Sequence, residues 1–241
     1  MKVYGLIKTT LLDYPGKVAS TVFLGGCNFR CPFCHNMDLV TGLDGIEPLP
    51  MEDIIKHLKS RAGVIDGVCI TGGEPTLQPD LGRLIRSIKD LGLLVKLDSN
   101  GSNPALLRDL MSEKLIDYIA IDIKSSFSTY NKVCGFDILG LNPENEDNIV
   151  GNIRETVSML INQNSVPYEF RTTVIKEYHD LNVFKQIADM LEGARIYCLQ
   201  NYVCSEFVPD KTLHGYNKDE LQPFVDVLSL KIKEVKIRGL D

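Results

Sequence analysis

Three cysteines stand close together in Gly25-Gly26-Cys27-Asn28-Phe29-Arg30-Cys31-Pro32-Phe33-Cys34-His35-Asn36. The C-x3-C-x2-C spacing of Cys27, Cys31 and Cys34 lets three thiolates on one loop wrap a soft metal centre. A four-iron cubane held this way keeps one iron without a protein ligand, open to a small molecule. A zinc ion with His35 as fourth ligand is the competing use. It asks adjacent residues, Cys34 and His35, to reach one ion, whereas zinc ligands usually stand two or more residues apart. Unliganded core cysteines are the third reading, and Asn28, Arg30 and Pro32 speak for a loop instead of a packed strand.

Further groups suited to chemistry follow other apolar runs. Thr71-Gly72-Gly73-Glu74-Pro75 offers glycines that let backbone approach a ligand and a carboxylate that accepts from an ammonium group. A glycine turn closing a strand is the plain alternative. Asp98-Ser99-Asn100-Gly101 and Asp122-Ile123-Lys124 each put an acid at the end of a buried strand, where it must be paired or ligated. A turn cap at Asp98 and an ion pair between Asp122 and Lys124 meet that need as well. Arg171 lies inside an apolar run, where an arginine usually meets a carboxylate or phosphate. Gln200 reads equally well as a ligand contact or a satisfied strand end. Of the other cysteines, Cys69 and Cys198 sit in apolar runs and read as small core residues. Cys69, Cys134, Cys198 and Cys204 contain no C-x2-C pair, which argues against a second cluster.

These residues need strands and helices to position them. Strands are expected at Ala19–Leu24, Gly67–Thr71, Leu93–Asp98, Tyr118–Asp122, Tyr168–Ile175 and Arg195–Gln200, several of them continuous enough to be buried on both faces. Helical spacing appears between them, at Met51, Ile54, Ile55 and Leu58 and again at Leu81, Leu84, Ile85 and Ile88. Looser versions cover Ile149–Leu160 and Phe184–Leu191, and a last helix is expected over Leu221–Leu228. Cys134–Asp147 lacks periodicity and reads as a loop. Strict alternation gives an α/β fold, either an open doubly wound sheet or a complete or partial barrel. Both bind ligands at the carboxyl ends of their strands, where the chemistry-bearing residues fall.

A hydrophobic share of 44% supports a full core, and a net charge of −6 speaks against a non-specific nucleic-acid binder. No apolar run nears the ~20 residues of a membrane-spanning helix, so no membrane partner is expected. Seven cysteines with no export signal favour metal binding over disulfides and a cytoplasmic location.

Cys27, Cys31 and Cys34, with Phe33 before the last, resemble the signature of the radical S-adenosylmethionine (SAM) superfamily. The resemblance implies a partial (β/α)6 TIM-like barrel with parallel strands, one domain over residues 1–241. It also implies a [4Fe–4S] cluster on the three cysteines, with SAM chelated at the open iron and cleaved to a 5′-deoxyadenosyl radical. Gly72-Gly73-Glu74 resembles the motif that contacts the methionine amino group. The DSNG and DIK segments are similar to those of enzymes that activate glycyl-radical proteins. That likeness places Asp98 and Asp122 at a monovalent cation (sodium or potassium), Ser99 beside the cofactor, Lys124 on the methionine carboxylate and Arg171 facing the cofactor. The histidine such enzymes often carry near Gln200-Asn201-Tyr202-Val203 has no counterpart.

Leu12-Asp13-Tyr14-Pro15-Gly16-Lys17, leading into VFLGGCNFRCPFCHN, looks like the activating protein of anaerobic ribonucleoside-triphosphate reductase. The implied partners are that glycyl-radical enzyme and a flavodoxin or ferredoxin as reductant. Pyruvate formate-lyase activating enzymes, or a radical enzyme acting on a small molecule, are the alternatives. The likeness runs from about Leu6 to Gln200.

Overall fold

Apolar residues alternate with polar ones along several of the expected strands, and that alternation builds the molecule. In the computed structural model, which describes residues 2–240, the strands form one sheet in chain order. They are β1 (Val3–Thr10), β2 (Ala19–Leu24), β3 (Gly67–Gly72), β4 (Leu94–Ser99), β5 (Tyr118–Asp122), β6 (Tyr168–Val174), β7 (Ile196–Asn201) and β8 (Glu234–Arg238). β1 runs antiparallel to β2, and every later neighbour is parallel. β1 and β8 are the free edges, so the barrel is partial. The helices are α1 (Met37–Thr41), α2 (Met51–Arg61), α3 (Leu81–Lys89), α4 (Pro104–Ser112), α5 (Tyr130–Cys134), α6 (Pro143–Ile161), α7 (Leu181–Met190) and α8 (Lys218–Ser229).

The core lies between helices and sheet. α3 shows why: Leu81, Leu84, Ile85 and Ile88 form one stripe and all four are buried. Each such side chain contributes roughly 1.5–3 kcal/mol by leaving water. Val68 and Ile70 of β3, Val95 and Leu97 of β4, and Ile119 and Ile121 of β5 join the same core. The residues between them, with period two, point to the opposite face. That face is polar in β4–β6 yet largely buried, so these strands are covered on both faces as expected, with charged pairs in place of apolar side chains on the inner one.

Two strands and one helix start differ from expectation. β1 is half-exposed along most of its length, and β8 reads Glu-Val-Lys-Ile-Arg, so neither carries the apolar run of a central strand. Part of Cys134–Asp147 is helix and not loop. Asn142 caps α6 by accepting from Asn145 N at 2.9 Å, and Pro143 takes the first helical position.

The Leu12–Lys17 segment turns beneath the sheet. Lys17 N donates to Tyr14 O, and Thr21 Oγ1 donates to Asp13 Oδ2. Tyr14 is buried against Tyr118, the first residue of β5, with ring centroids 6.0 Å apart, and it also abuts Gly67, the first of β3. This segment closes the amino-terminal end of the barrel, opposite the cysteines.

Candidate functional site

The cysteine loop leaves the carboxyl end of β2 and is fixed from three sides. Phe29 and Phe33 are buried, with Phe29 edge-on to Phe136 at 5.4 Å. Arg30 Nη1 donates to the carbonyls of Cys27 and Phe29, and Arg30 N donates to Cys134 O at 2.8 Å. On the β3 side, Gly73 N donates to Leu24 O at 2.9 Å and Glu74 N to Gly26 O at 2.8 Å, while Asn36 Nδ2 donates to Gly72 O. A Cβ on Gly72 would lie 2.2 Å from Leu24 O, and one on Gly73 2.0 Å from Gly26 O. Gly72 also has φ +123°. The close approach these glycines permit is therefore first to the cysteine loop's own backbone.

Glu74 is buried and its carboxylate is well supplied with donors. Thr76 N, Thr76 Oγ1 and Ser99 Oγ donate to Oε1, and Asn100 N donates to Oε2 at 2.6 Å. Burial pushes its pKa up, against those hydrogen bonds. Oε2 keeps acceptor capacity for one more group.

The floor of the site is a chain of opposite charges. Asp98 on β4 takes Lys96 on Oδ1 and Arg171 Nη1 on Oδ2 at 3.1 Å. Asp122 on β5 takes Arg171 Nε and Nη2 on Oδ1, both at 2.8 Å, and Lys124 on Oδ2 at 3.0 Å. Burial works against the Asp122 carboxylate, yet Arg171 and then Lys124 outweigh it and hold its pKa well below the usual range. Burial likewise opposes the Lys124 ammonium, but Asp122 and then Cys31 keep its pKa above normal. Below lies Glu169 of β6, gripped by Arg238 of β8 through two bonds of 2.9 and 2.8 Å and receiving Tyr118 Oη–H at 3.1 Å.

A cavity opens above this floor. Cys27, Cys31, Cys34, Gly72, Gly73, Glu74, Asp98, Ser99, Asp122 and Lys124 line it, so all the residues expected at cluster, cofactor or cation except Arg171 meet there. Arg171 lies beneath the wall, and half-buried Gln200 is also outside it. Residues the sequence reading missed are Lys96, Glu169, Arg238 and Asn28, whose amide bridges Asn100 and Ser102. Lys96 and Asp98 are two apart in a strand, and that spacing was the available signal.

The thiols suit a cluster. Cys31 is buried, and Cys27 and Cys34 are half-buried. Burial pushes the Cys27 thiol up to about 12 and raises that of Cys34, whereas a hydrogen bond from the Cys134 thiol lowers that of Cys31. Among the described residues no three Cys, His, Asp or Glu side chains converge as ligands of one ion, and His35 Nε2 engages Val203 O at 2.8 Å. A cubane spreads its ligands over different irons and fits three soft donors so separated. Cys69 and Cys198 are buried beside Lys96 and Glu169, and Cys204 is exposed, so these do not gather into a second cluster. The aspartates fit a monovalent cation poorly, because each of their four oxygens already accepts from a protein cation.

A polar floor, three thiols and one open mouth at the strand ends make up the candidate site on a partial barrel. Residues 21–139 match the Radical SAM superfamily. A "putative glycyl-radical enzyme activating enzyme" of Methanocaldococcus jannaschii is 30% identical over 99% of this chain and 96% of its own. A 7-carboxy-7-deazaguanine synthase of Neisseria meningitidis is 36% identical over 49% of this chain and 50% of its own. A pyruvate formate-lyase-activating enzyme of Clostridium pasteurianum is 30% identical over 51% of this chain and 52% of its own. Among solved structures, Streptococcus suis SuiB bound to S-adenosylmethionine shares the fold, with TM-score 0.61 and 14% identity, covering 91% of this chain and 52% of that one. The chain belongs to the radical SAM superfamily, whose enzymes use a [4Fe–4S] cluster and SAM. Among the described residues no helix is long and apolar enough to cross a membrane.

Proposed function

We propose that this enzyme activates a glycyl-radical enzyme. The observation that carries the reading is similarity along nearly the whole chain to an activating enzyme of that kind, on a barrel whose thiol-lined cavity opens at one end. A [4Fe–4S] cluster and SAM held there would supply radical chemistry: one electron from an external reductant would cleave the sulfonium, and a hydrogen atom would be taken from a glycine Cα of the partner.

The chain's own residues hold and orient. Cys27, Cys31 and Cys34 ligate the cluster. Lys124 lines the cavity with its ammonium on Asp122 and keeps N–H donors for the methionine carboxylate. Gly72, Gly73 and Glu74 form the shelf for the amino group, and Ser99, which donates to Glu74, steadies that shelf. Asp98, Asp122 and Arg171 fix Lys124 from below.

The partner we propose is an anaerobic ribonucleoside-triphosphate reductase, on the likeness of the DYPGK-to-cysteine stretch. A flavodoxin or ferredoxin in the cytoplasm would be the reductant. The synthase likeness favours a small-molecule reading, but it covers half of each chain, where the cofactor motifs lie. Anaerobic protein, reconstituted with iron and sulfide and reduced with dithionite, should release 5′-deoxyadenosine from SAM. Given the reductase, it should leave a glycyl radical visible by electron paramagnetic resonance. A radical on pyruvate formate-lyase alone would reassign the partner, and turnover of a free metabolite without any protein radical would defeat the activase reading.

A further inference from the structure

We propose that Arg171 is a resident counter-cation at the cavity floor, so that this enzyme binds SAM without a monovalent metal ion. The proposal rests on the SAM-dependent reading above.

The parallel register sets Arg171 of β6 directly beside Asp122 of β5. From there its guanidinium reaches past β5 to Asp98 of β4, donating through Nη1 to Asp98 Oδ2 at 3.1 Å and through Nε to Asp122 Oδ1 at 2.8 Å, with Nη2 also 2.8 Å from that oxygen. Lys96 takes the remaining Asp98 oxygen and Lys124 the remaining Asp122 oxygen. The side chain is only 11% exposed and is not among the residues lining the cavity, so its charge is turned to the two aspartates.

An alkali cation between these carboxylates would need their oxygens as ligands, since hard cations take oxygen donors. It would find each of them already accepting from a protein cation and would enter a group with three protein cations against two carboxylates, where like charge repels it. Glu169 does not change the balance, being committed to Arg238. Arginine suits the role because its planar fork stays charged and spans two acids at once. The floor keeps one uncompensated positive charge, and Lys124 presents it to the cavity, where a carboxylate such as that of SAM is the matching ligand.

The test compares potassium, sodium and tetramethylammonium chlorides at equal ionic strength. SAM affinity of the reconstituted protein, measured by calorimetry, should agree within about twofold across the three salts. The thermal midpoint of the cluster-free protein should be equally indifferent to the cation. Arg171→Gln removes the charge and should make binding depend on an alkali ion, with affinity at least about tenfold better in potassium or sodium than in tetramethylammonium. Wild-type affinity that collapses in tetramethylammonium, or a midpoint raised specifically by potassium or sodium, would overturn the proposal. An Arg171→Gln protein that binds SAM as tightly as wild type in every salt would overturn it too. If that variant does not fold, the two wild-type comparisons decide. SAM that binds in no salt would defeat the radical SAM reading itself, and the midpoint comparison would still judge the cation.

Discussion

Lowering the pH should loosen this protein through one histidine. His179 is fully buried behind the site; its Nδ1 accepts from Ile175 N at 3.1 Å, so Nε2 carries the proton and donates to Lys124 O at 2.8 Å. Burial lowers its pKa from 6.5 to about 4, and the hydrogen bonds only partly oppose that. The neighbouring Asp180 is the charged group that also favours the proton, and Phe184 packs against the ring at 5.9 Å. Between these two pKa values the unfolded chain binds more protons than the folded one, so stability falls as pH drops. The loss begins near 6.5, reaches about 2 kcal/mol by pH 5 and about 3 kcal/mol once the pH is below 4. Urea unfolding at pH 7.5 and pH 5 should show that difference for wild type. His179→Gln keeps a polar side chain and removes the titration, so its stability should change by about 2 kcal/mol less over the same interval. Parallel pH curves for the two proteins would refute the reasoning.

Gly73→Ala places a methyl group against Gly26 O, so it should destabilise the protein by about 2 kcal/mol or more and reduce iron content on reconstitution, checked by unfolding and by metal analysis. Arg238→Ala strands the buried Glu169 carboxylate; the expected cost is about 2 to 3 kcal/mol, below the range for fully buried pairs because Arg238 is 37% exposed, and urea unfolding measures it. Cys31→Ala should abolish cluster binding, because a methyl group cannot replace a thiolate; retention of full iron content and cluster absorbance would contradict it.

Six strands could be read because their apolar outer faces are long enough to show, even where the inner face is polar. Their ends agree with the structure to within a residue. β1 and β8 stayed hidden because edge strands need no continuous apolar run. At the site, residue types were legible, since Asp98 and Asp122 stand at the carboxyl ends of strands and Cys27, Glu74 and Lys124 just past them. Their partners were not. Arg171 meets Asp98 from 73 positions away, and only strand register brings them together. Lys96 carried a local sign, since it stands two residues before Asp98 on the same face of β4, but its place in an otherwise apolar run hid its role.

The placement of Tyr14 bears on how lineage and recognition should be told apart in such enzymes. The Leu12–Lys17 segment is a cork in the base of the vessel, pressed against the first residues of β3 and β5. A docking protein approaching the cysteines meets the opposite rim, where Val203 and Phe207 stand exposed beyond β7. Likeness in the cork therefore marks lineage, and through lineage it bears on the proposed partner, while exchanging rim loops between relatives, with the base left alone, is the way to redirect the choice of client.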